Sequence, residues 1–579
     1  MAIGGKPDIS GISLRMEAIW TDAEQRIMLD IIRRIKKAGK ITSTADYQIN
    51  RLIEMGRSTE EIERILKEAL EATWPEMFEL YDEVAEWQYV RNKDVYEQVN
   101  GEFIQPEQNE WLKQTSDAVK EQTKDELTNL SGSYGFSVMM GSRRVFMPFA
   151  TYYQRYVDAA IMDILSGGFD YNSVIRRIVT QMTNSGLRFV DYASGHSSRV
   201  DVAARRSVMT GVAQITAEVN EKNAEDLGTE YFEVDWHPAA RPDHQVWQGK
   251  VYSKEELLSV CGLGSKTGLC GINCRHVYYP FVPGVSERLY TDEWLEEQNR
   301  MESQTVEWQG KELNAYQQTQ QQRKMETAMR AQREKVSLLQ DAGADKDEIM
   351  IAKCKYQAQL DEYKRFSKKM GLPEQRERIY QDMRGRVAPS REAYKKYTPE
   401  MIKNAGRDNT QYKKYREILG DDAGSLAQFR QMKYNEPEKY ELFKTYAKSV
   451  DKGMISPLSG FKNYAKLHEK IEKNIVGMET STGLKISGQS KHFMERVIGT
   501  KEDPKTGRPR SGVTIDGISE ALQEPLSIGP VKTDRQGRKS QRYVGTKATV
   551  SINPESGELI QCNPTDSDLM RRWKNAGKS

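Results

Sequence analysis

The sequence is poor in the residues that staple a chain or carry it across a bilayer. Only five of its 579 residues are cysteine, unevenly spaced, so a disulfide framework is excluded and folding in a reducing compartment is expected. Histidine is nearly as scarce, at six. Hydrophobic residues make up 37% against 29% charged, with a mean hydropathy of −0.74, and no apolar run approaches the roughly 20 residues of a membrane helix. The opening Met1-Ala2-Ile3-Gly4-Gly5-Lys6 lacks the basic-then-apolar layout of a signal peptide. The length implies about three to four domains. The net charge of +2 hides one asymmetry: between Pro530 and Lys547, six bases (Lys532, Arg535, Arg538, Lys539, Arg542 and Lys547) meet a single acid, Asp534.

Helix signals are plentiful. Thr21-Asp22-Ala23-Glu24 has the form of a capping box, followed by Ile27, Ile31 and Ile35 at helical spacing and by Lys36-Lys37 at the negative dipole end. Ser58-Thr59-Glu60-Glu61 repeats the device before Ile62, Ile65, Leu66 and Ala69, and Pro75 and Pro106 read as first-turn prolines. Apolar periodicity returns at Phe149–Leu165, Tyr171–Met182 and Val200–Val219. Between these, Ser131–Gly141 mixes glycine with apolar side chains and reads as a surface loop, either packed on its neighbours or ordered by a partner.

From Tyr231 the period changes to two. Tyr231–Trp236 and Gly249–Tyr252 read as short strands, and the extended stretch after His276 carries prolines that deny it a central sheet position. Residues 291–385 are polar and helical, with Asp341-Ala342-Gly343-Ala344-Asp345 as the turn of a long hairpin and Gly371 as its stop, which reads as a spacer. Residues 386–480 read as a helical connector with a modest core of its own. From 481 onward, two short helices precede four antiparallel strands. The fold class is mainly α with α+β modules, divided at 1–227, 228–290, 291–385, 386–480 and 481–579.

Chemistry-bearing residues gather in two places. The first runs from Trp236 to His276 and holds His237, Arg241, Asp243, His244, Cys270, Cys274, Arg275 and His276. Thiols and imidazoles suit zinc, but His276 lies only two residues beyond Cys274 and the span lacks two clean ligand pairs. The preferred reading has no metal: a hydrogen-bonded turn in which Arg241, Asp243, His244 and Arg275 tie extended segments together. A thiol nucleophile is disfavoured, because adjacency of Cys274 and His276 in sequence is not the geometry a Cys/His pair needs. Arg241-Pro242-Asp243-His244, then Gly249-Lys250, then Asn273-Cys274-Arg275-His276 resemble the Mu F-like head-morphogenesis domain of tailed-phage minor capsid proteins, in the branch called phage minor capsid protein 2, over roughly residues 10 to 300. That resemblance implies a virion protein without chemistry of its own here, docked by the portal among head proteins and beside packaged DNA.

The second place is the basic C-terminal meander. Its residues Ser490-Lys491-His492, Lys532-Thr533-Asp534 with Gly537, Arg542-Tyr543-Val544-Gly545, Val550–Pro554 with Gly557, and Pro564-Thr565 resemble the bacterial polymorphic toxin type 50 group, of the barnase/EndoU/colicin/RelE-like nucleases. The resemblance implies a cofactor-free ribonuclease and a partner immunity protein. Independently, His492 is the one histidine of this stretch, and imidazole suits proton transfer near neutral pH. Lys532 and Arg542 suit a developing phosphorane charge, and Thr565 or Ser540 a phosphate oxygen. Lys491, Arg535, Arg538, Lys539 and Ser540 suit contact with a nucleic-acid backbone. A charged face that only touches nucleic acid is the competing reading.

Overall fold

The repeat Ile27, Ile31, Ile35 belongs to one long helix, Ile9–Ala38, whose Trp20, Ile27 and Ile31 are sealed from solvent. The computed structural model describes residues 7–38, 44–165, 170–191, 195–271, 274–382, 384–499 and 507–566. Lys36 and Lys37 do close this helix, but Thr21-Asp22-Ala23-Glu24 does not open it. The Thr21 hydroxyl donates back to the Glu17 carbonyl at 2.7 Å, and the buried Glu24 carboxylate leaves the helix to accept from the Leu187 backbone N–H. Ser58 likewise lies inside the helix Thr44–Val90, donating to Asp30 at 3.0 Å. Pro75 is interior to that helix too. A proline there costs roughly 3 kcal/mol, offset by burial of Leu70, Met77, Leu80 and Tyr81 around it. Pro106 opens only a short 3-10 turn, and the next helix, Glu110–Ser131, starts from Asn109, whose side chain accepts from the Leu112 N–H.

Residues 131–141 are not a loop. Tyr134–Met140 is a strand paired with Arg143–Pro148 and Leu187–Asp191, and His196–Arg199 completes a four-stranded antiparallel sheet. Phe136 and Val138 are buried while Met139 and Met140 stand exposed beside Gly141 at the hairpin tip. Glycine signals a loop along the chain, but the alternation Phe136, Val138 is the stronger signal once a partner strand is present.

A smaller three-stranded antiparallel sheet has the order Val251–Ser253, Tyr231–Val234, Tyr278–Phe281, so the proline-bearing strand is at an edge as expected. The helices Ala315–Ala342 and Lys346–Met370 form the expected hairpin, with Gly343 and Gly371 left-handed just past their ends. They are not a spacer. Val336, Leu338, Leu339, Ala342 and Ala352 enter the same core as Trp20 and Ile27. The hairpin Val306–Trp308 and Lys311–Leu313 is not among the strands expected from the sequence.

The chain divides into two compact units, Met1–Ser390 and Arg391–Ser579. In the second, residues 391–480 do not have a core of their own. Phe429, Phe443, Tyr446 and Tyr464 join one core with Ile486, Phe493, Ile518, Val550 and Cys562. The strands Lys539–Val544, Ala548–Ile552 and Glu558–Pro564 pair antiparallel in sequence order, and Gly488–Gln489 adds a parallel edge to the last. The molecule is mainly helical with antiparallel sheets, and among the described residues no helix is long and apolar enough to cross a membrane.

Candidate functional site

The small sheet of the first unit delivers a cluster of imidazole and thiol. His244 lies on the short turn Pro242–Gln245 and His276 just ahead of the strand Tyr278–Phe281. Their Nδ1 atoms are 3.3 Å apart. The Cys274 thiol is 3.8 Å from the first and 3.6 Å from the second. The outward nitrogens are engaged: His276 Nε2 lies 2.8 Å from Gln248 Oε1, and His244 Nε2 lies 2.9 Å from the Thr267 carbonyl. Since Gln248 Oε1 also accepts from the His237 backbone N–H, His276 Nε2 is the donor to it. Trp247 closes the cluster, its ring against both imidazoles.

Glycines make this delivery possible. Gly249 has φ +74°, and a Cβ there would meet Leu295 at 2.4 Å. At Gly268 a Cβ would meet the Gly262 carbonyl oxygen at 2.1 Å, so only glycine lets the loop fold this tightly ahead of Cys270. Burial favours the neutral forms. Burial first, then His237 and His244, push the His276 pKa down to about 3; burial lowers that of His244 and raises those of Cys270 and Cys274. A free thiolate nucleophile is therefore unsupported.

The structure brings together most of the expected residues. Arg241 contacts His244, the Thr267 carbonyl and Asp243, and the Cys270 thiol meets the His276 carbonyl at 3.7 Å. His237 packs edge-on against the His276 ring and lies 2.9 Å from Asp235. Arg275 joins none of these contacts and is exposed. Asn273 lies outside the described residues. Gln248, Thr267 and Trp247 escape sequence reasoning; only the adjacency of Trp247 and Gln248 to the Gly249-Lys250 motif signals them.

In the second unit, strand register sorts the expected residues by face. Lys532 pairs with Ser540, and Arg542 pairs across to Ser551 and on to Gln561. Directly paired residues share a face, so Lys532, Ser540 and Arg542 stand together. The opposite face, carrying Tyr543, Val550 and Cys562, is covered by Phe493, Val497 and Ile518 of the two short helices. His492 belongs to that helical layer, Lys491–Ile498, and the register places the three polar strand residues on the other side of the sheet. Its Nδ1 is 3.4 Å from the buried Glu495 carboxylate, and its Nε2 accepts from Arg496 at 3.5 Å. The Thr565 hydroxyl donates to the Gly545 carbonyl at 2.8 Å. Lys491, Arg538 and Lys539 each pair with a carboxylate, of Glu495, Asp534 and Glu555. Arg535 is exposed. Glu495 also escapes sequence reasoning, although a carboxylate three residues after a histidine on a helix is a readable signal.

A family model described as phage minor capsid protein 2 matches residues 8–366. The chain belongs to that family. The match extends beyond the span inferred from motifs and takes in the helical hairpin, in keeping with the packing of Leu338 and Leu339 into the first unit's core. Neither the curated proteins nor the solved structures gave a match. Membership in the phage minor capsid protein 2 family establishes a structural role in the phage head and points to the virion as its location.

Proposed function

We propose that this minor capsid protein docks near the portal through its first unit and carries, at its C-terminus, a toxin-like ribonuclease that works without a metal. The observation that carries the second half is the shared face of Lys532, Ser540 and Arg542, where two exposed cations and a hydroxyl meet on neighbouring strands. Such a face holds the phosphate oxygens of a bound strand. His492, held by the buried Glu495, is the group for proton transfer, its ring oriented as a carboxylate orients a base. For the first half, the tip of the Tyr134–Met140 hairpin, with Met139 and Met140 exposed, is the element to dock on portal or neighbouring head proteins.

A second reading is favoured by one observation: His492 sits in the helical layer, across the sheet from Lys532 and Arg542. In that reading the C-terminal domain binds nucleic acid, RNA or packaged DNA, and cuts nothing. The full-length protein incubated with total RNA separates the two. New termini in the RNA that vanish with His492→Ala support the nuclease. Binding that weakens smoothly with salt and leaves the RNA intact supports the binding module. Growth inhibition relieved by a co-expressed immunity partner would identify the toxin class. Cross-links from Met139 and Met140 in assembled heads test the docking surface, and their absence from any portal subunit removes it.

A further inference from the structure

Hydrogen bonds alone would suffice to hold the turn around His244, yet its interatomic distances have the dimensions of a coordination shell. In a tetrahedral zinc site the metal–nitrogen bonds are about 2.0–2.1 Å and the metal–sulfur bonds about 2.3 Å, which sets the N···N edge at about 3.4 Å and each N···S edge at about 3.6 Å. The three edges here are 3.3, 3.6 and 3.8 Å. The three ligand atoms belong to a neutral imidazole pair and a thiol, the donor set that zinc prefers over harder ions.

We propose that His244 Nδ1, His276 Nδ1 and Cys274 Sγ form a zinc-class metal site that staples the short turn Pro242–Gln245 to the start of the strand Tyr278–Phe281. The outer nitrogens support this. His276 Nε2 donates to Gln248 Oε1, and His244 Nε2 faces the Thr267 carbonyl, the hydrogen bonds that orient ligating imidazoles from behind. The module also has reason to need a staple: its core around Phe232, Trp247, Leu257 and Tyr278 is small. Without metal, one proton bridges the two Nδ1 atoms, with His244 Nε2 accepting from Arg241. On binding, that proton moves to Nε2, where the Thr267 carbonyl holds it and the Arg241 hydrogen bond to Nε2 is given up, while the Cys274 thiol gives up its proton to solvent. One proton leaves per metal bound. The fourth position is left to a water.

The test uses the full-length protein, reduced, stripped with a chelator, and reloaded with zinc or cobalt before desalting. One zinc per chain is expected, together with a thiolate-to-cobalt charge-transfer band and the visible bands of a tetrahedral cobalt site. Cys274→Ser should lose the charge-transfer band, and His276→Asn should lose the metal. Cys354→Ala, a buried thiol elsewhere in the first unit, should keep both. A folded wild-type chain that retains no zinc and shows no charge-transfer band overturns the site. So does retention of zinc and of that band in Cys274→Ser. The wild-type cobalt spectrum needs no substitution, so it decides the matter even where a variant fails to fold.

Discussion

The two units treat the side chains of their candidate sites in opposite ways. In the first, polar groups are sealed inside: Glu24, Asp201 and Glu334 converge on Arg199, and the His244/His276 pair is closed by Trp247. In the second, Lys532 and Arg542 stand on an open sheet face, and His492 keeps 41% of its side chain exposed where His276 is 4% exposed. A sealed polar group must find its partners within the protein and so fixes geometry, whereas an open one keeps its capacity for something else. The family match ends at residue 366, inside the first unit. The matched residues all lie in the first unit, and the second lies outside the match.

Four measurements break or sharpen that contrast. The largest effect belongs to the open unit: if the nuclease reading holds, His492→Ala lowers RNA cleavage by roughly 10²–10⁴-fold, with the unfolding midpoint nearly unchanged. A large fall in stability would instead make His492 a packing residue like its sealed counterparts. Next comes Arg199→Ala. It strands Glu24 and Glu334, whose pKa values burial already raises, and should cost about 3–5 kcal/mol of stability in denaturant titration. A loss under about 1 kcal/mol would mean that water reaches this network.

Lys335 gives a smaller effect of opposite sign. Burial, then Lys355, lower its pKa from 10.5 to about 8, and its ammonium donates to the Thr180 hydroxyl at 2.8 Å. Between about pH 8 and 10.5 the unfolded chain keeps a proton that the folded chain releases, so this group makes stability rise with pH across that window. Lys335→Met should raise stability at pH 7 by about 1–2 kcal/mol and abolish that rise. The smallest effect sharpens the contrast from the other side. Thr565 suits a phosphate by residue type, but its hydroxyl is committed to the Gly545 carbonyl. Thr565→Val should therefore cost about 1 kcal/mol of stability and leave cleavage unaltered.

Legibility differed by the range of the physics. The helix pair Ala315–Ala342 and Lys346–Met370 was readable with its turn, because Gly343 and Gly371 end helices through local backbone conformation. The C-terminal strands were readable because turn residues and period-two burial repeat within a few positions. The capping signals at Thr21 and Ser58 misled, since a local cap competes with continuation of the helix and tertiary burial of Trp20, Ile27 and Ile62 favours continuation. Of the first site, the sequence showed which residues carry the chemistry; it did not show that Cys274 faces both Nδ1 atoms, or that Arg275 joins none of the contacts among them.

The sequence alone determined the family, the helical character and the chemistry-bearing residues, because residue type, motif order and hydrophobic period are written along the chain. Tertiary structure alone decided that the two imidazoles meet at 3.3 Å, that the hairpin of residues 315–370 is core rather than spacer, and that His492 and Arg542 lie on different layers. Those facts depend on pairing and packing between segments far apart in sequence, where no local preference of one residue for its neighbours carries the information.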